Sequence, residues 1–155
     1  IHIDLCHFGD ANVLVIVDQF SEFLICRKLR SANSVDIRDT LLAVFCQFGL
    51  PAVVVSDNGR NLNSNVMSEL YETLGIRLSN SSVANSRGNY LAEYGVKRLQ
   101  ELSRIYQPRL EELELFLQVS CFMVNGSPRS DRRQLSNFEA FFGRARSWPL
   151  QLPNI

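Results

Sequence analysis

The chain has 155 residues, 46% of them hydrophobic, and its 16 basic residues balance 16 acidic ones. This length and composition indicate one compact domain, and the zero net charge excludes a protein that binds nucleic acid through an overall cationic surface. Because no run of about 18 apolar residues occurs and the first residues lack the pattern of a signal peptide, we expect a soluble chain with neither a membrane span nor a leader.

The first 29 residues contain three apolar runs, which predict three β-strands. The runs cover residues 1–8, 13–17 and 23–29. Turn-forming residues separate them, Gly9 and Asp10 after the first run and residues 18–21 after the second. Links this short connect neighbouring strands of opposite direction, so the pattern favours an antiparallel meander.

A crossover to a parallel strand follows the meander. Asn33 or Ser34 is suited to cap a helix whose apolar residues recur at helical spacing, and Gly49 and Pro51 end it. The valine-rich residues 52–56 then predict a fourth strand. A strand that is reached through a helix favours a parallel pairing in the sheet.

The rest of the chain is predicted to be mostly helical. We expect helices over residues 64–74, 90–106, 108–124 and 137–143, a short fifth strand at 76–78, and a polar, mobile loop at 79–89. No repeat or linker divides the sequence. The sequence therefore predicts a single α/β domain over residues 1–155, with a mixed five-stranded sheet flanked by helices.

Three acidic residues stand at positions where this fold would give them a function. Asp4 lies in the apolar run Ile-His-Ile-Asp-Leu-Cys, Asp57 ends the fourth strand, and Glu93 begins a helix after the polar loop. Spacing alone is weak support, because two acids 36 positions apart are expected about once by chance in a chain of this composition. Context is stronger, since a carboxylate in an apolar strand costs several kcal/mol unless it is paired.

If folding brings the three carboxylates together, their charges repel one another unless cations lie between them. Hard oxygen ligands in a partly open site suit Mg²⁺ or Mn²⁺. Two such ions about 4 Å apart stabilise the attacking and leaving oxygens of an in-line phosphoryl displacement, which is the chemistry of nucleases and strand transferases. Asp4, Asp57 and Glu93 are therefore the candidate metal ligands and catalytic residues.

Each acid also has a plainer interpretation. Asp4 is explained equally well by pairing with a buried arginine or histidine, and Asp57 by a hydrogen bond to the Asn58-Gly59 turn. Glu93 fits an acid at the start of a helix, where the helix dipole favours negative charge. For each acid taken alone, these alternatives stay open.

The helix that begins near Glu93 carries a polar stripe. At about 100° per residue, Glu93, Lys97, Gln100 and Arg104 lie within about 60° of one another on one side of the helix. Such a stripe is most often a solvated face, and Glu93 with Lys97 also fits an ordinary i,i+4 ion pair. If the acids bind metal, the stripe runs outward from the site and is suited to contact DNA phosphates.

Four motifs follow one another along nearly the whole chain. They are Ile-His-Ile-Asp in the first strand, Val-Asp-Gln-Phe-Ser-Glu-Phe after the second, Val-Ser-Asp-Asn-Gly after the fourth, and Asn-Phe-Glu-Ala-Phe-Phe-Gly-Arg near the C-terminus. In this order they resemble the catalytic core of retroviral and LTR-retrotransposon integrases, with the gypsy-type elements most similar.

The stretch before the candidate glutamate carries a fifth likeness. Residues 82–93 are similar to the family's Ser-Pro-Tyr-His/Asn-Pro-Gln-Ser-Asn-Gly-Gln-x-Glu. The alignment puts Asn85 on the His/Asn position, Asn89 on the Asn and Glu93 on the catalytic Glu, with Arg87 on a Gln position. The departures from that pattern include Val83, Ser86 and Tyr90. They replace two prolines and a glycine, which changes the stiffness of the loop beside the site.

The resemblance implies an RNase H-like fold and a DDE integrase that holds two Mg²⁺ or Mn²⁺ ions through Asp4, Asp57 and Glu93. It implies two reactions, cleavage near the 3′ end of the element's DNA and attack of the freed 3′ hydroxyl on a target phosphodiester. The residues expected to contact DNA are Asn85, Arg87, Lys97, Gln100 and Arg104.

The same resemblance implies a setting for the chain. We expect a fragment of a larger polyprotein product that binds element ends and target DNA as a dimer of cores within a larger assembly, without a membrane. Integration takes place in the nucleus, and before that the protein is expected in a cytoplasmic virus-like particle. The alternative function is a domesticated or inactive core that serves as a DNA-binding or dimerisation module. A true ribonuclease H shares the fold but is disfavoured, because the Asp-Asn-Gly turn and the C-terminal motif are typical of integrases.

Overall fold

The computed structural model describes residues 1–57, 59–80, 88–130 and 134–145. In chain order its elements are β1 (His2–Phe8), β2 (Ala11–Val17), β3 (Leu24–Leu29), α1 (Ser34–Phe48), β4 (Val53–Ser56), α2 (Asn65–Thr73), β5 (Arg77–Asn80), α3 (Tyr90–Tyr106), a 3₁₀ turn (Leu110–Glu112), α4 (Leu113–Gly126) and α5 (Asn137–Phe142). Among these described residues, no helix is long and apolar enough to cross a bilayer.

The five strands form one mixed sheet in the order β3-β2-β1-β4-β5. β1 pairs antiparallel with β2, and β2 with β3, as the short links predict. On the other side β1 pairs in parallel with β4, and β4 with β5. The predicted five-stranded mixed sheet is therefore confirmed, and β1 is its central strand.

Helices cover both faces of the sheet. On one face α1 and α2 bury residues such as Ile37, Leu41 and Met67 against Ile3 of β1. On the other face α3 and α4 pack Leu99 and other apolar residues against β2 and β3. Because side chains alternate along a strand, His2, Asp4 and Cys6 lie on the opposite face from Ile3, the face that α3 covers.

The start of α1 is fixed by a side-chain cap. Asn33 has an extended backbone, and its Oδ1 accepts a hydrogen bond of 2.8 Å from the Asp36 N–H. Replacing Asn33 by alanine removes this bond and is expected to lower the free energy of unfolding by about 1 kcal/mol, or the melting temperature by about 2–4 °C. Thermal denaturation followed by circular dichroism measures the change.

Asn65→Ala is the matched control for that substitution. Asn65 is the exposed first residue of α2, and its side chain makes no hydrogen bond with the described residues. Its loss should change the stability by less than about 0.5 kcal/mol. An Asn33→Ala protein as stable as Asn65→Ala would contradict the assigned cap.

The helix expected from Pro108 begins later than predicted. A 3₁₀ turn comes first, and α4 starts only at Leu113. Arg109, at the N-cap of the 3₁₀ turn, is extended, and its N–H donates 3.2 Å to the Glu112 carboxylate. The fixed backbone angle of Pro108 therefore belongs to the link after α3, so the predicted start at the proline is wrong.

The end of the sheet also differs from the sequence prediction. The fifth strand runs from Arg77 to Asn80 rather than over residues 76–78, so the predicted loop loses its first two positions to β5. Its centre, residues 81–87, lies outside the described residues. All four cysteines are free; Cys6 and Cys26 are buried, Cys121 is half-buried and Cys46 is exposed.

Candidate active site

Asp4 lies in the central strand, opposite Val15 of β2, and is partly buried. Its Oδ1 accepts a hydrogen bond of 2.8 Å from the Leu5 N–H. Burial raises the pKa of the Asp4 carboxyl, the Leu5 hydrogen bond lowers it, and the negative charges of Asp57 and Glu93 raise it further. The two other candidate acids are therefore within electrostatic reach of Asp4.

Asp57 follows the last residue of β4 and is exposed. The register pairs His2 of β1 with Val55 of β4, and two residues further along the parallel strands are Asp4 and Asp57. Neighbouring strands lie about 4.8 Å apart, so the register places the two acids at the same level on adjacent strands. Because side chains alternate along a strand, both acids lie on the face of the sheet that α3 covers.

A tight turn holds the Asp57 backbone and side chain. The Gly59 N–H donates 3.0 Å to Asp57 Oδ1, and Asn63 Nδ2 donates 2.8 Å to the Asp57 carbonyl oxygen. A Cβ atom at position 59 would lie 3.0 Å from Asp57 Oδ1, closer than most Cβ contacts in proteins, so the carboxylate would have to shift. Glycine at position 59 therefore allows this turn to close beside the acid.

The two aspartates lie where the sheet changes its connectivity. From β1 the chain builds β2 and β3 on one side and, after α1, β4 and β5 on the other. In open α/β sheets the crevice at such a switch point is where ligands bind. The position of Asp4 and Asp57 thus agrees with the ligand site expected from the topology.

Glu93 is exposed in the first turn of α3, a helix that packs on β1 and β2. Its charge acts on Asp4, but the three carboxylates do not converge on one point. Within the described ranges, no three histidine, cysteine, aspartate or glutamate side chains are close enough to hold a metal ion. The assignment of Asp4, Asp57 and Glu93 as metal ligands and catalytic residues stays a prediction.

Among the described residues, the structure contains the contact that the plainer interpretation expects for Asp57, but not the one expected for Asp4. The turn hydrogen bond proposed for Asp57 is present. A basic partner for Asp4 is absent, because no ion pair in the part of the chain that the structure describes reaches Asp4, Asp57 or Glu93. The second oxygen of Asp4, Oδ2, accepts no hydrogen bond from the described residues. The cluster is thus negatively charged and open.

The polar stripe of α3 faces solvent as predicted. Lys97, Gln100 and Arg104 are all exposed, whereas Leu99 on the opposite side is buried. This exposure leaves the stripe accessible, and a contact with DNA remains a prediction. Asn85 and Arg87, the other two residues expected to contact DNA, lie outside the described residues.

A contact between α3 and β1 was not evident in the sequence. Asn89 is the N-cap residue of α3, yet its side chain makes no capping hydrogen bond. Its Oδ1 lies 3.3 Å from His2 Nδ1, and its Nδ2 donates 3.0 Å to the Ile3 carbonyl oxygen. Because the amide NH₂ faces Ile3, Oδ1 faces His2, so Nδ1 of His2 carries the proton. A histidine in an apolar strand was the only signal of this contact in the sequence.

Gly95 is a second residue whose role the sequence did not reveal. A Cβ atom there would lie 3.1 Å from methyl carbons of Val15, Val17 and Leu24. The helix therefore lies so close to β2 and β3 that a side chain at this position would require these methyl groups to shift by a few tenths of an ångström. Val15 is also the residue that pairs with Asp4, so this close approach takes place next to the acid cluster.

Comparison with protein families gives one match. The family described as "Integrase core domain" matches residues 1–86, more than half of the chain. The matched part includes Asp4 and Asp57, whereas Glu93 lies beyond it.

Two curated relatives share sequence with the chain. The uncharacterized protein K02A2.6 of Caenorhabditis elegans is 33% identical over 103 residues, which are 64% of this chain and 8% of that protein. The retrovirus-related Pol polyprotein from transposon opus of Drosophila melanogaster is 30% identical over 110 residues, 71% of this chain and 11% of the polyprotein. The chain therefore spans about a tenth of the length of either relative.

Solved structures share the fold at low sequence identity. The catalytic core domain of BIV integrase superposes with a TM-score of 0.77 at 18% identity, covering 92% of both chains. A chain of the simian T-cell lymphotropic virus intasome, solved in complex with PP2A regulatory subunit B56 gamma, gives a TM-score of 0.80 at 19% identity, covering 96% of this chain and 58% of that one.

Proposed function

The chain belongs to the integrase core domain family and has the RNase H-like fold of integrase catalytic cores, and we propose that it catalyses divalent-metal-dependent integration of retroelement DNA. The proposed chemistry is two in-line displacements at phosphorus. Water first attacks a phosphodiester near the 3′ end of the element's DNA and releases a 3′ hydroxyl. That hydroxyl then attacks a phosphodiester of the target, so one bond forms and one breaks in each step.

The observation that carries this proposal is the electrostatic state of Asp4. The carboxylate is partly buried in the central strand, feels the charges of Asp57 and Glu93, and has no basic partner among residues 1–57, 59–80, 88–130 and 134–145. Structural acids at such positions are normally paired, because an unpaired buried charge is costly. An unpaired cluster of this kind is suited to bind cations.

The three acids suit a hard divalent cation by the chemistry of their oxygens, although in this structure their side chains do not converge on one point. All three side chains offer carboxylate oxygens, the ligands that Mg²⁺ and Mn²⁺ prefer, and Asp4 and Asp57 lie level on neighbouring strands. Asp4, Asp57 and Glu93 would hold two such ions. When bound, the ions would supply charge stabilisation for the attacking and leaving oxygens at phosphorus.

The rest of the site is proposed to position DNA. Lys97, Gln100 and Arg104 project into solvent along the same helix as Glu93. Cationic and amide side chains there can bind phosphates and fix the strand over the aspartates, which sets position rather than sequence preference. With a net charge of zero, the chain depends on this local stripe rather than on an overall cationic surface.

The proposal also covers the larger protein, the assembly and the cell compartment in which the chain acts. We place the chain as the core of a longer polyprotein product that binds element ends and target DNA as a dimer of cores in a larger assembly. It would act in the nucleus after transport from a cytoplasmic virus-like particle. Nothing in the family match or the structural likenesses favours the alternative of an inactive DNA-binding or dimerisation module.

Metal binding is the first test of the proposal. Mn²⁺ at about ten times its dissociation constant should raise the melting temperature by about 3–5 °C, because a ligand that binds only the folded state stabilises it. Differential scanning fluorimetry with a Mn²⁺ series measures the shift, and EDTA should reverse it. A melting temperature that does not respond to 20 mM Mn²⁺ or Mg²⁺, together with no metal-dependent nicking of plasmid DNA, would remove the proposed function.

The class of substrate is a separate test. The proposal expects metal-dependent cleavage near the 3′ end of duplexes that carry the element's own terminal sequence, measured with 5′-labelled oligonucleotides. An RNA–DNA hybrid of the same length serves as the comparison. Cleavage of the RNA strand of the hybrid, without cleavage of the duplex, would identify a ribonuclease H instead.

A further inference from the structure

The N-cap of α3 differs from those of α1, α2 and α5. In α1, α2 and α5 the cap residues Asn33, Ser64 and Ser136 each accept a hydrogen bond from a backbone N–H of the first turn. Asn89 is an equally good capping residue, but its side chain bonds to β1 instead. The start of α3 therefore has no side-chain cap, because the Asn89 side chain connects the helix to the sheet instead.

The strand side of this connection is the segment that carries Asp4. The partners of Asn89 are the ring of His2 and the carbonyl oxygen of Ile3, the two residues before the acid. Asn89 is 3% exposed and His2 5%, so both side chains are shielded from water. On the helix side, the Glu93 N–H donates 3.2 Å to the Asn89 carbonyl oxygen, which makes Glu93 part of the same turn.

We infer that Asn89 is a positioning residue, whose side chain holds the first turn of α3, and with it Glu93, in place beside Asp4. The inference rests on the proposed metal site. Asn89 touches none of the reacting groups and acts only through Glu93. Gly95, six residues further on, supports the same placement, because its missing side chain lets the helix lie against Val15 and Val17. The start of α3 around Glu93 is thus held against β1 by Asn89 and against β2 at Gly95.

The chain offers a matched control for testing this role. Asn125 of α4 is 4% exposed, and its side chain also bonds to a strand backbone, accepting 2.8 Å from the Leu24 N–H and donating 2.8 Å to the Leu24 carbonyl oxygen. It joins α4 to β3 instead of α3 to β1. Asn89→Ala and Asn125→Ala each remove two buried hydrogen bonds, and both should lower the melting temperature by several degrees.

The experiment compares the two variants in two measurements. In amide hydrogen exchange without metal, residues 91–94 should exchange at least tenfold faster in Asn89→Ala than in Asn125→Ala. In calorimetric titration with Mn²⁺ alone, Asn89→Ala should bind about tenfold or more weakly than the unmodified chain, as is typical when a residue that orients a metal ligand is lost. Asn125→Ala should keep the affinity of the unmodified chain.

The outcomes separate this inference from the function on which it rests. Equal exchange of residues 91–94 in the two variants, or equal Mn²⁺ affinity of Asn89→Ala and the unmodified chain, would overturn the positioning role and leave the proposed function standing. If the unmodified chain itself binds no Mn²⁺, the proposed function and the link to Glu93 both fall. Should Asn89→Ala not fold, Gly95→Ala tests the same placement, because the added methyl group would lie 3.1 Å from methyl carbons of Val15 and Val17 and crowd α3 against β2. Its Mn²⁺ affinity should also fall, and an unchanged affinity would overturn the inference.

Discussion

Asp57→Asn is expected to lose metal-dependent DNA nicking by about a thousandfold or more while the fold stays intact. Asparagine keeps a side-chain oxygen that can accept the hydrogen bond from the Gly59 N–H, so the turn after β4 is preserved. Only the negative charge and one anionic ligand are lost. Asp57 is exposed, and its replacement opens no cavity in the core. Conversion of supercoiled plasmid to nicked circles in Mn²⁺ measures the activity, and thermal denaturation should show a change of less than about 2 °C.

The same substitution at a distant acid provides the control. Asp10 is exposed in the turn between β1 and β2, where no chemistry is proposed. Asp10→Asn should therefore nick DNA at the rate of the unmodified chain. Activity retained by Asp57→Asn, at a level similar to that of Asp10→Asn, would show that this carboxylate is not part of a catalytic site.

Asp4→Asn is expected to abolish nicking to a similar extent and at the same time to make the protein more stable at pH 7. Burial, together with the charges of Asp57 and Glu93, raises the pKa of Asp4 in the folded state above its ordinary value. The folded chain then holds a proton more tightly than the unfolded chain, so stability is lost as pH rises from the unfolded pKa through the folded one. At pH 7 the ionised carboxylate destabilises the fold, and a neutral amide removes that cost.

The size and pH dependence of this gain can be measured directly. We expect the melting temperature of Asp4→Asn to exceed that of the unmodified chain by about 2–4 °C at pH 7 in EDTA, equivalent to about 1 kcal/mol. The difference should shrink as pH falls through the raised pKa towards the ordinary value of 3.8. Mn²⁺ should also narrow it, because only the unmodified chain gains from the ion. A lower melting temperature for Asp4→Asn at pH 7 would contradict an unpaired, destabilising charge.

The sheet was predictable because its strands are read from local patterns. Apolar runs marked the first three strands, and the helix between the third and fourth favoured a parallel pairing. That this pairing is with β1 is seen only in the structure. The start of α4 was not predictable in the same way. Proline favours both the first turn of a helix and an extended link, so the residue alone does not fix the start of the helix. After Pro108, the hydrogen bond from the Arg109 N–H to the Glu112 carboxylate stabilises the extended link.

The acid cluster was predictable only in part. The apolar context of Asp4 and the strand end at Asp57 point to one edge of the sheet, and the register of β1 with β4 brings the two residues level. How near Glu93 comes to them depends on where α3 rests on the sheet. That placement depends on Asn89 and Gly95, whose contacts with β1 and β2 lie more than 70 residues away in sequence. No local pattern encodes contacts of that separation.

Asp4 and Glu93 differ in how many contacts hold them in position. β1 is hydrogen-bonded to a strand on either side, so a change that displaces Asp4 must disturb the centre of the sheet. Glu93 depends on a few atoms of Asn89 and on the absence of a side chain at Gly95. One or two substitutions at the start of α3 are therefore expected to displace Glu93 while the sheet and the core persist.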